Sequence, residues 1–515
     1  MLVRKIQRGL ILLLVLIAAG LFAQNWEPIV PRIDYGYFRV DQMNLDIFVT
    51  RMDRTVPVLL VDASLAKGRI TQPGTGTSLE TIPAQAARYD GASGFWGRSD
   101  GPYRYKVIAA VNGCGFSSAN GCPDSAMVMN GSLIKQTFRS KAELKGDIGF
   151  GYRFGSGGAF PGSPCMAGTV SFPEGRQQNS ISFADGSWFP FQGINQISRA
   201  GISLFTHHYG ARTPETVNAT EIVVRMDDSQ PLRLQEKSGF SRGSAVKIVK
   251  NSSGGTLIPF DCVVIVATGP WAQRVSGKIP SDGTEIRFSL SVEDATSLDW
   301  SGMHAAIGPM WGVILRGGKK PQTASDSYHK AVHPRTAVAF NDRHVFFVVV
   351  DGRSSRSAGI TLNNLAEFCQ VSLGATDAVN NDGGGSSTMW VNGQVKNVPS
   401  DGSPRGVANG LMMIQLQPRE RSAAFAAGQS VSVSAGSGVV SVMTGPGTNF
   451  HAFHDLSSGT PAAIADHAFN GIRGQDAGGA PVYWWKITAE SAIEGWVRES
   501  DMIAAAPGGE SGTRK

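Results

Sequence analysis

The sequence predicts an α+β protein, with a β-rich, mixed-sheet main domain that has few helices and a small all-β domain after it. Glycine is abundant, at 63 of 515 residues, whereas charged residues make up only 17%. Apolar residues reach 42%, which is enough for a large buried core. They fall mostly in short runs separated by Gly, Pro, Asn and Asp, a pattern typical of strands joined by turns. A chain of this length is expected to hold more than one domain, at roughly 100–200 residues each.

The first 23 residues predict a secretory signal peptide. Arg4, Lys5 and Arg8 precede an apolar run of 14 residues from Leu10 to Ala23. Because a membrane-spanning helix needs roughly 20 apolar residues, a cleaved leader is favoured, with an uncleaved membrane anchor as the alternative. We therefore expect an exported protein, periplasmic or secreted, that meets a membrane only through this segment.

Charge and cysteine content narrow the classes of function. The net charge is +6, without a clustered Lys/Arg stripe, so no nucleic-acid partner is predicted. Five cysteines in an exported chain permit disulfides, although an odd count leaves one unpaired. Cys114 and Cys122 enclose a short polar loop and form the predicted bridge; two lone buried thiols are the alternative. No Cys or His spacing is typical of zinc, and no metal site is predicted.

In the first half of the chain, residues 24–104 are predicted to be the β-rich start of the main domain, with a helix at 79–89. Residues 146–180 are rich in Gly, Ser and Pro and are interpreted as loop. His207 and His208 are adjacent, so on a strand they point to opposite faces, and a surface pair is predicted. Strands are predicted at 45–48, 58–61, 105–111, 127–134 (a hairpin around Asn130-Gly131), 193–204, 222–225, 245–249, 262–268, 285–292 and 305–315.

A strand–helix–strand pattern follows His333. Strands at 337–340 and 344–350 flank an Asn-Asp turn, and residues 361–373 have helical periodicity with Thr361 as N-cap. A further strand then leads to Asp382. A right-handed crossover between parallel neighbours would place Asp351 and Asp382 at the same edge of one parallel strand pair.

The stretch AVNNDGGGSSTMWV, residues 378–391, carries the strongest sign of a ligand site. Three consecutive glycines suggest positive φ or a close approach of the backbone to another group. A phosphate-binding loop would need a Lys after them, a nucleophile elbow would need Gly at Thr388, and a Ca²⁺ loop would need Glu at Met389. What remains is a carboxylate beside a nest of amides, which suits an anionic or polyhydroxylated ligand. A plain Gly-rich hairpin is the alternative.

Four motifs follow one another in this region: His333-Pro334-Arg335-Thr336-Ala337, Val350-Asp351-Gly352-Arg353-Ser354, Gly359-Ile360-Thr361-Leu362 and Asp382-Gly383-Gly384-Gly385-Ser386-Ser387-Thr388-Met389. Together they resemble the phosphodiester glycosidase family in order and spacing. Residues 108–116 and 193–204 are similar to its two asparagine segments, and the resemblance covers about residues 58–417. One departure is Asn381, where the family commonly has an aliphatic residue.

The resemblance implies hydrolysis of a sugar-1-phosphodiester at the bond between the anomeric carbon and oxygen. Asp351 and Asp382 are the implied catalytic carboxylates; one acts as base or nucleophile and the other as acid or sugar-positioning group, with the assignment open. His333 is either the proton donor or an ordinary turn histidine. The implied substrate- and phosphate-binding residues are Arg335, Arg353, Asn112, Asn195, Gly383, Gly384, Gly385, Ser386 and Ser387.

The expected partner is therefore a phosphorylated glycan or a sugar phosphodiester. No cofactor is required by this interpretation, and no ligand spacing indicates Ca²⁺ or Mg²⁺. Two other functions stay open. One is a non-catalytic protein that binds cell wall or polysaccharide, and the other is an ordinary O-glycosidase acting on peptidoglycan or exopolysaccharide.

The end of the chain predicts a second domain. After the main domain (105–417) and a linker (418–429), residues 430–504 resemble a bacterial SH3-like barrel, and 505–515 form a tail predicted to be disordered. The resemblance depends on TGPGTNF at 444–450, YWWKI at 483–487 and EGWV at 494–497. Their aromatic side chains either stack on a glycan or peptide or fill the barrel core. The expected partner of this domain is a cell-wall ligand.

Overall fold

The structure is a computed structural model. It describes residues 26–56, 58–70, 78–91, 103–125, 127–135, 148–153, 168–171, 180–227, 232–233, 239–279, 281–290, 303–308, 312–320, 327–418, 420–448, 450–475, 480–489 and 493–505. The predicted signal peptide, Cys165 and the tail from 506 lie outside these ranges. Within them, no helix is both long enough and apolar enough to cross a membrane.

Strands dominate the described chain. The helices are α1 (Ile82–Gly91), α2 (Pro270–Ser276), α3 (Ser327–Lys330) and α4 (Leu362–Val371). The strands of the first part are β1 (Glu27–Val30), β2 (Ile33–Val40), β3 (Leu45–Asp53), β4 (Leu59–Leu65), β5 (Tyr103–Asn112), β6 (Met127–Met129), β7 (Ser132–Lys135), β8 (Ile148–Arg153), β9 (Gly168–Ser171), β10 (Ser180–Ser182), β11 (Trp188–Pro190), β12 (Gly193–Ile194) and β13 (Ile202–Phe205). The middle strands are β14 (Ala219–Met226), β15 (Ser241–Ser252), β16 (Cys262–Ala267), β17 (Glu285–Ser289), β18 (Met303–Ile307), β19 (Val313–Leu315), β20 (Arg335–Phe340), β21 (His344–Val350), β22 (Asp377–Asn380), β23 (Met389–Val391), β24 (Gln394–Val395) and β25 (Asn409–Pro418). The last strands are β26 (Ser430–Val433), β27 (Val439–Met443), β28 (Ala452–Ser457), β29 (Pro461–Ile464), β30 (Ile472–Gln475), β31 (Pro481–Ala489), β32 (Ile493–Arg498) and β33 (Met502–Ala504). The β-rich architecture with few helices is thereby confirmed.

A seven-stranded sheet in the order β1-β2-β3-β21-β20-β22-β19 carries the candidate site. One face packs on the five-stranded sheet β24-β23-β5-β25-β4, and α4 covers the other face. Strand β21 shows why its sequence is apolar throughout: Phe347 and Val349 enter the core between the sheets, whereas Phe346 and Val348 pack in the core under α4. Because both faces of this strand are buried, its sequence lacks the alternation of polar and apolar residues that is typical of a half-exposed strand.

The predicted parallel pair is wrong in one respect. Strands β21 and β22 run in the same direction, but β20 lies between them and pairs antiparallel with both. The reason is that β20 and β21 form a hairpin, so the chain returning from α4 finds the free edge on the far side of β20. Asp351 and Asp382 still leave the sheet at the same edge, because their strands share one direction.

Three local predictions before His333 need correction. Residues 146–180 are not loop throughout, since β8 and β9 pair there and β8 pairs with β18; backbone ladders with neighbouring strands override a Gly-rich composition. The predicted strand 305–315 is two strands, β18 and β19, in different sheets. The histidine pair is not a surface pair: His208 is 3% exposed, and burial lowers its pKa to about 4.

The predicted disulfide is also wrong. Cys114, Cys122, Cys262 and Cys369 are free thiols in the described chain. The loop that a bridge would have closed is held instead by backbone hydrogen bonds, from Ser117 N to the Cys122 carbonyl at 2.9 Å and from Asp124 N to the Gly115 carbonyl at 2.8 Å. The Cys114 thiol is buried and accepts a hydrogen bond from the Asn409 side-chain amide at 3.2 Å.

Strands β10 to β17 contribute to an eight-stranded sheet with its own apolar core, in which β12 and β13 pair parallel. Residues 430–504 form a further eight-stranded sheet, β26 to β33, which also has a core of its own. Three of its tryptophan side chains are buried: Trp484, Trp485 and Trp496 are 2%, 3% and 1% exposed. Trp496 and Phe450 pack against Phe260 of the preceding sheet, both at ring-centroid distances of 5.7 Å.

Candidate active site

The glycine loop lies between β22 and β23, at the sheet edge where β21 and β22 both end. Gly384 has a φ of +62°, a conformation that disfavours a side chain, and its N–H donates to the Pro334 carbonyl at 2.9 Å. A Cβ at Gly384 would lie 3.0 Å from a guanidinium nitrogen of Arg353. The glycine is therefore needed for both the turn and the close approach of an arginine.

Asp382 stands at the mouth of this loop and is partly exposed. One of its oxygens accepts the Gly383 N–H at 2.9 Å. Burial raises the pKa of Asp382, and the nearby carboxylate of Asp124 raises it further, while Ser386, the Gly383 N–H and Arg405 act in the opposite direction. A partly accessible carboxyl with a raised pKa is suited to hold a proton or to act as a nucleophile once ionised.

Asp351 is joined to the same loop by Asn397. The Asn397 amide donates to Asp351 at 3.0 Å and to the Ser387 carbonyl at 3.0 Å. Asp351 is only 5% exposed and also accepts the Val398 N–H at 2.9 Å. Burial raises its pKa to about 6, although the Val398 and Asn397 hydrogen bonds lower it. The two predicted acids thus belong to one connected region, with Asp382 the more accessible.

The two predicted phosphate-binding arginines differ in accessibility. Arg335 is fully buried, and its guanidinium donates to the carbonyls of Ala331 at 2.9 Å and Ile360 at 3.3 Å. Arg353 is exposed, lies over Gly384 and donates its side-chain N–H groups to no acceptor among the described residues. A guanidinium that is exposed and unengaged is the better placed of the two for an anion.

A third arginine, Arg405, also reaches the glycine loop. The sequence alone did not predict it as a site residue. Arg405 forms a two-point ion pair with Asp401, at 2.8 and 2.6 Å, and a Cβ at Gly385 would collide with both side chains. The signal available in the sequence was the dense turn chemistry of NVPSDG at 397–402. Asn397 and Asp401 both come from this turn.

Asn112 ties three elements together at the end of β5. Its side-chain oxygen accepts from the Thr336 hydroxyl at 2.8 Å and from the Thr388 N–H at 3.2 Å, and its amide donates to the Asp382 carbonyl at 2.8 Å. It is fully buried beneath the loop. Asn381, where the sequence departs from the family, donates to the Asn112 carbonyl at 2.9 Å. Asn112 therefore sets the position of Asp382 from below.

Asn195 directly follows β12 in the eight-stranded sheet formed by β10 to β17. It is fully buried with a φ of +54°, and its side chain bonds Thr206 and the Ile134 carbonyl. Ile134 belongs to β7 and Thr206 follows β13, so neither partner is part of the glycine loop. These contacts do not bring Asn195 together with Asp382.

The hydroxyl groups after the glycines are buried. Ser386 and Thr388 are 0% exposed and Ser387 is 1% exposed. The hydroxyls of Ser387 and Thr388 have no hydrogen-bond partner within the described chain, whereas the Ser386 hydroxyl lies near the Asp382 carboxyl and lowers its pKa. The N–H groups of Gly383 and Gly384 are already engaged, by Asp382 and Pro334. Buried polar groups are usually satisfied, so this unsatisfied set is typical of a place where a polar ligand completes the bonding.

His333 precedes the buried start of β20 and is bridged to Ile360 through the backbone, with hydrogen bonds of 3.3 and 2.9 Å. Desolvation, followed by the charges of Arg335 and Arg353, lowers the pKa of His333. The neutral form of the ring is thereby favoured. In the described residues, no group of three or more His, Cys, Asp or Glu side chains is arranged to hold a metal ion.

The N-terminal hairpin β2–β3 holds the loop after Asp351 in place. The sequence alone did not predict this contact. Asp46 is 2% exposed and accepts the Arg356 guanidinium at 2.9 Å, and its carbonyl accepts the Asp351 N–H at 3.1 Å. Ser357 connects the same two segments, because its hydroxyl donates to the Asp351 carbonyl at 2.7 Å and accepts the Asp46 N–H at 3.1 Å. Asp351 thus takes its position from a hairpin some 300 residues earlier.

The loop, its two acids and its arginines all fall within one family match. Residues 242–414 match the model of the phosphodiester glycosidase family. Asn112, Asp46 and Asp124 lie before the matched region.

Among known proteins, the SPbeta prophage-derived uncharacterized protein YomE of Bacillus subtilis (strain 168) is 37% identical over 134 residues, which are 25% of this chain and 20% of that protein. The chain thus matches about a fifth of the length of this relative. A hypothetical protein from Synechocystis superposes with a TM-score of 0.46 at 15% identity, over 75% of this chain and 62% of the other. The catalytic domain of zebrafish N-acetylglucosamine-1-phosphodiester alpha-N-acetylglucosaminidase, auto-inhibited by its pro-peptide, gives a TM-score of 0.35 at 14% identity, over 76% of this chain and 86% of that domain.

Proposed function

We propose that this protein is a glycoside hydrolase that cleaves a sugar-1-phosphodiester at the anomeric carbon–oxygen bond. The observation that carries the proposal is the placement of the Asp382 carboxyl beside a glycine backbone over which two guanidinium groups, those of Arg353 and Arg405, lie. A nearby carboxyl and two arginines are the groups needed to attack or activate at a sugar carbon and to hold a phosphate. The family match over 242–414 supports the same reaction class.

The chemistry of the leaving group explains this division of labour. A phosphate monoester has a second pKa near ~6, so it can depart as an anion without full protonation. Stabilising the charge that develops on its oxygens is therefore more important than donating a proton. Arg353 and Arg405 supply that stabilisation, while Asp382, when ionised, attacks the oxocarbenium-like carbon or activates water.

Asp351 supports this arrangement from a more buried position. Its oxygens are occupied by Asn397 and Val398, which limits direct attack. In the proposal it fixes the Asn397 bridge to the glycine loop and, in its protonated form near pH 6, donates to a sugar hydroxyl. Arg335 holds the Ala331–Pro334 segment whose carbonyl accepts the Gly384 N–H.

The test is hydrolysis of matched substrates by the purified full chain. A panel of sugar-1-phosphodiesters, including nucleotide sugars and teichoic-type fragments, is compared with alkyl glycosides of the same sugars. We expect turnover of at least one phosphodiester, little turnover of its alkyl counterpart, and a loss of about 100-fold or more in Asp382→Asn. Asp342→Asn, in the exposed turn between β20 and β21, is the matched control and should keep the wild-type rate.

Turnover of alkyl glycosides alone would favour the ordinary O-glycosidase. Binding of phosphoglycans without turnover of any member of the panel would favour the non-catalytic binding protein. Full activity in Asp382→Asn would remove the carboxyl from the mechanism.

The site of action in the proposal is the cell envelope or the exterior. Residues 1–23 would direct export, and the sheet at 430–504 would act as an SH3-like targeting module for a cell-wall ligand. Because the tryptophans of that sheet are buried, such a ligand would meet other side chains, of which half-buried Tyr483 is one. Fractionation of cells and a pull-down on purified wall with the full chain test the two parts separately.

A further inference from the structure

The Asp401–Arg405 ion pair lies against the backbone of Gly385. A pair that only stabilised the surface would not need to approach the glycine loop so closely. Asp401 and Arg405 have side-chain exposures of 36% and 43%, so both meet solvent. Yet they lie against the glycine backbone so closely that a Cβ at Gly385 would collide with the Asp401 oxygens and the Arg405 guanidinium alike. The carboxylate is thus an anion held at the glycine loop by an arginine.

The surroundings of this carboxylate are those of an anion site. Consecutive Cα atoms are about 3.8 Å apart, so Arg353 over Gly384 and Arg405 over Gly385 approach neighbouring points of one backbone. The buried hydroxyl of Ser387 is two residues further on and has no hydrogen-bond partner among the described residues. The Asp401 carboxylate engages Arg405, so the Arg353 guanidinium and the Ser387 hydroxyl at the adjoining residues remain as donors for a second or larger anion.

Asp401 can leave this position at small structural cost. It belongs to a surface turn closed by the Gly402 N–H and the Pro399 carbonyl at 2.9 Å, and its side chain is not buried. Exposed ion pairs contribute little to stability, so exchanging one anion for another on Arg405 is nearly neutral for the fold.

We propose that Asp401 is an internal counter-anion that occupies the phosphate position of the site, and that the phosphate group of the substrate displaces it from Arg405. The residue then sets specificity: a phosphodiester group, whose single negative charge is shared by two oxygens and bound by Arg353 and Arg405 together, outcompetes a carboxylate bound by Arg405 alone, whereas a neutral sugar does not open the pair. The identity of the ligand rests on the proposed function; the exchange at Arg405 does not.

The experiment measures binding of inorganic phosphate to the full chain by isothermal titration calorimetry at low salt. Asp401→Asn removes the competing charge and is expected to bind phosphate about fivefold more tightly than wild type. Arg405→Gln is expected to bind it about tenfold more weakly. The double variant should resemble Arg405→Gln, because the carboxylate competes only for that arginine. Thermal melts confirm that each variant is folded.

Glu285→Gln is the matched control, since Glu285 forms an exposed pair with Arg287 at 2.6 Å in another sheet and its loss changes the net charge equally. Wild-type phosphate affinity in this control, with tighter binding in Asp401→Asn, supports the exchange. Equal gains in both variants, or unchanged affinity in Asp401→Asn, would overturn it.

The two proposals fail separately. The expected phosphate affinities without any turnover of sugar phosphodiesters would leave the exchange standing and end the hydrolase. Turnover of sugar phosphodiesters, with a phosphate affinity that is the same in wild type and Asp401→Asn, would support the hydrolase and overturn the exchange at Arg405.

Discussion

The consecutive glycines of the loop are required for different structural reasons. Gly384 needs both its positive φ and its missing side chain, because the Arg353 guanidinium lies where a Cβ would be. Gly385 needs only the missing side chain, for the Asp401–Arg405 pair. Gly383 also needs the missing side chain, because a Cβ there would lie 2.8 Å from the Pro334 carbonyl oxygen. Each of the three glycines thus has a close neighbour from another segment of the chain.

Replacing Gly384 by alanine should separate these effects. A positive φ of +62° costs about 1–2 kcal/mol for a side-chain-bearing residue, and the Cβ would in addition displace Arg353. We expect a loss of stability of that size in urea unfolding and, under the proposed function, a fall in kcat/KM for the phosphodiester.

Gly374→Ala is the control. Gly374 has a nearly equal φ of +65°, but a Cβ there would meet no atom within 4 Å, so this variant bears the backbone cost alone. If both variants lose activity alike, the Arg353 contact has no catalytic value.

At the level of elements, the β2–β3 hairpin governs the loop that begins at Asp351. Arg356 and Ser357 of that loop are held by Asp46, and Arg39 reaches the Arg356 carbonyl at 2.6 Å. The charge of Asp46 adds to burial in raising the pKa of Asp351. Because this raised pKa opposes ionisation in the folded state, the stability that Asp351 confers is full below pH about 4 and is lost as pH rises through about 6.

Asp46→Asn should therefore lower the pKa of Asp351 by about 0.5–1 unit, because it removes a like charge and releases the Arg356 cation. Carboxyl ¹³C NMR of the labelled protein measures this directly, and the matching limb of the pH–rate profile should move to lower pH. The stability lost toward neutral pH should also shrink.

Asp41→Asn is a control on the same hairpin. Asp41 is 79% exposed and pairs with Arg39 at 2.7 Å. It should leave the pKa of Asp351 unchanged; an equal shift in both variants would point to a general charge effect instead of the local contact.

At the level of the whole molecule, residues 430–504 are docked on the rest of the chain through a buried charge as well as through rings. Asp261 of the main part is 2% exposed and contacts Lys486 at 3.2 Å and His467 at 3.3 Å from the C-terminal sheet. Burial alone would raise the pKa of Asp261, but the His467 hydrogen bond and the charges of Lys486 and Arg225 hold it well below its usual range. This contribution to stability is present above pH about 4 and lost as pH falls below it.

Lys486→Met should destabilise the protein strongly, by ~3–5 kcal/mol, because it leaves Asp261 buried with less compensation. Urea unfolding at pH 7 measures the change. Lys320→Met, which breaks the surface pair with Glu367 at 2.9 Å, should cost no more than ~1 kcal/mol. A small effect of Lys486→Met would mean that the two parts of the chain are joined by their apolar contact alone.

Much of the local structure was predictable. The hairpin at Asn130-Gly131 and the Thr361 N-cap, whose hydroxyl accepts the Asn364 N–H at 3.2 Å, are confirmed. Both are set by a few neighbouring residues. The predicted disulfide failed because cysteine spacing carries no information about the direction of the side chains.

The sequence by itself determined that two strands end in Asp351 and Asp382 and that a glycine turn follows the second, because periodicity and turn chemistry act over a few residues. Only the tertiary structure decided which arginines reach that turn. Arg335 became internal because β20 was enclosed by β21 and β22, and Arg405 became a site residue because a later turn folded back onto Gly385. The solvent accessibility of these arginine side chains depends on which strands pair and which loops pack together, and both are determined by the whole chain.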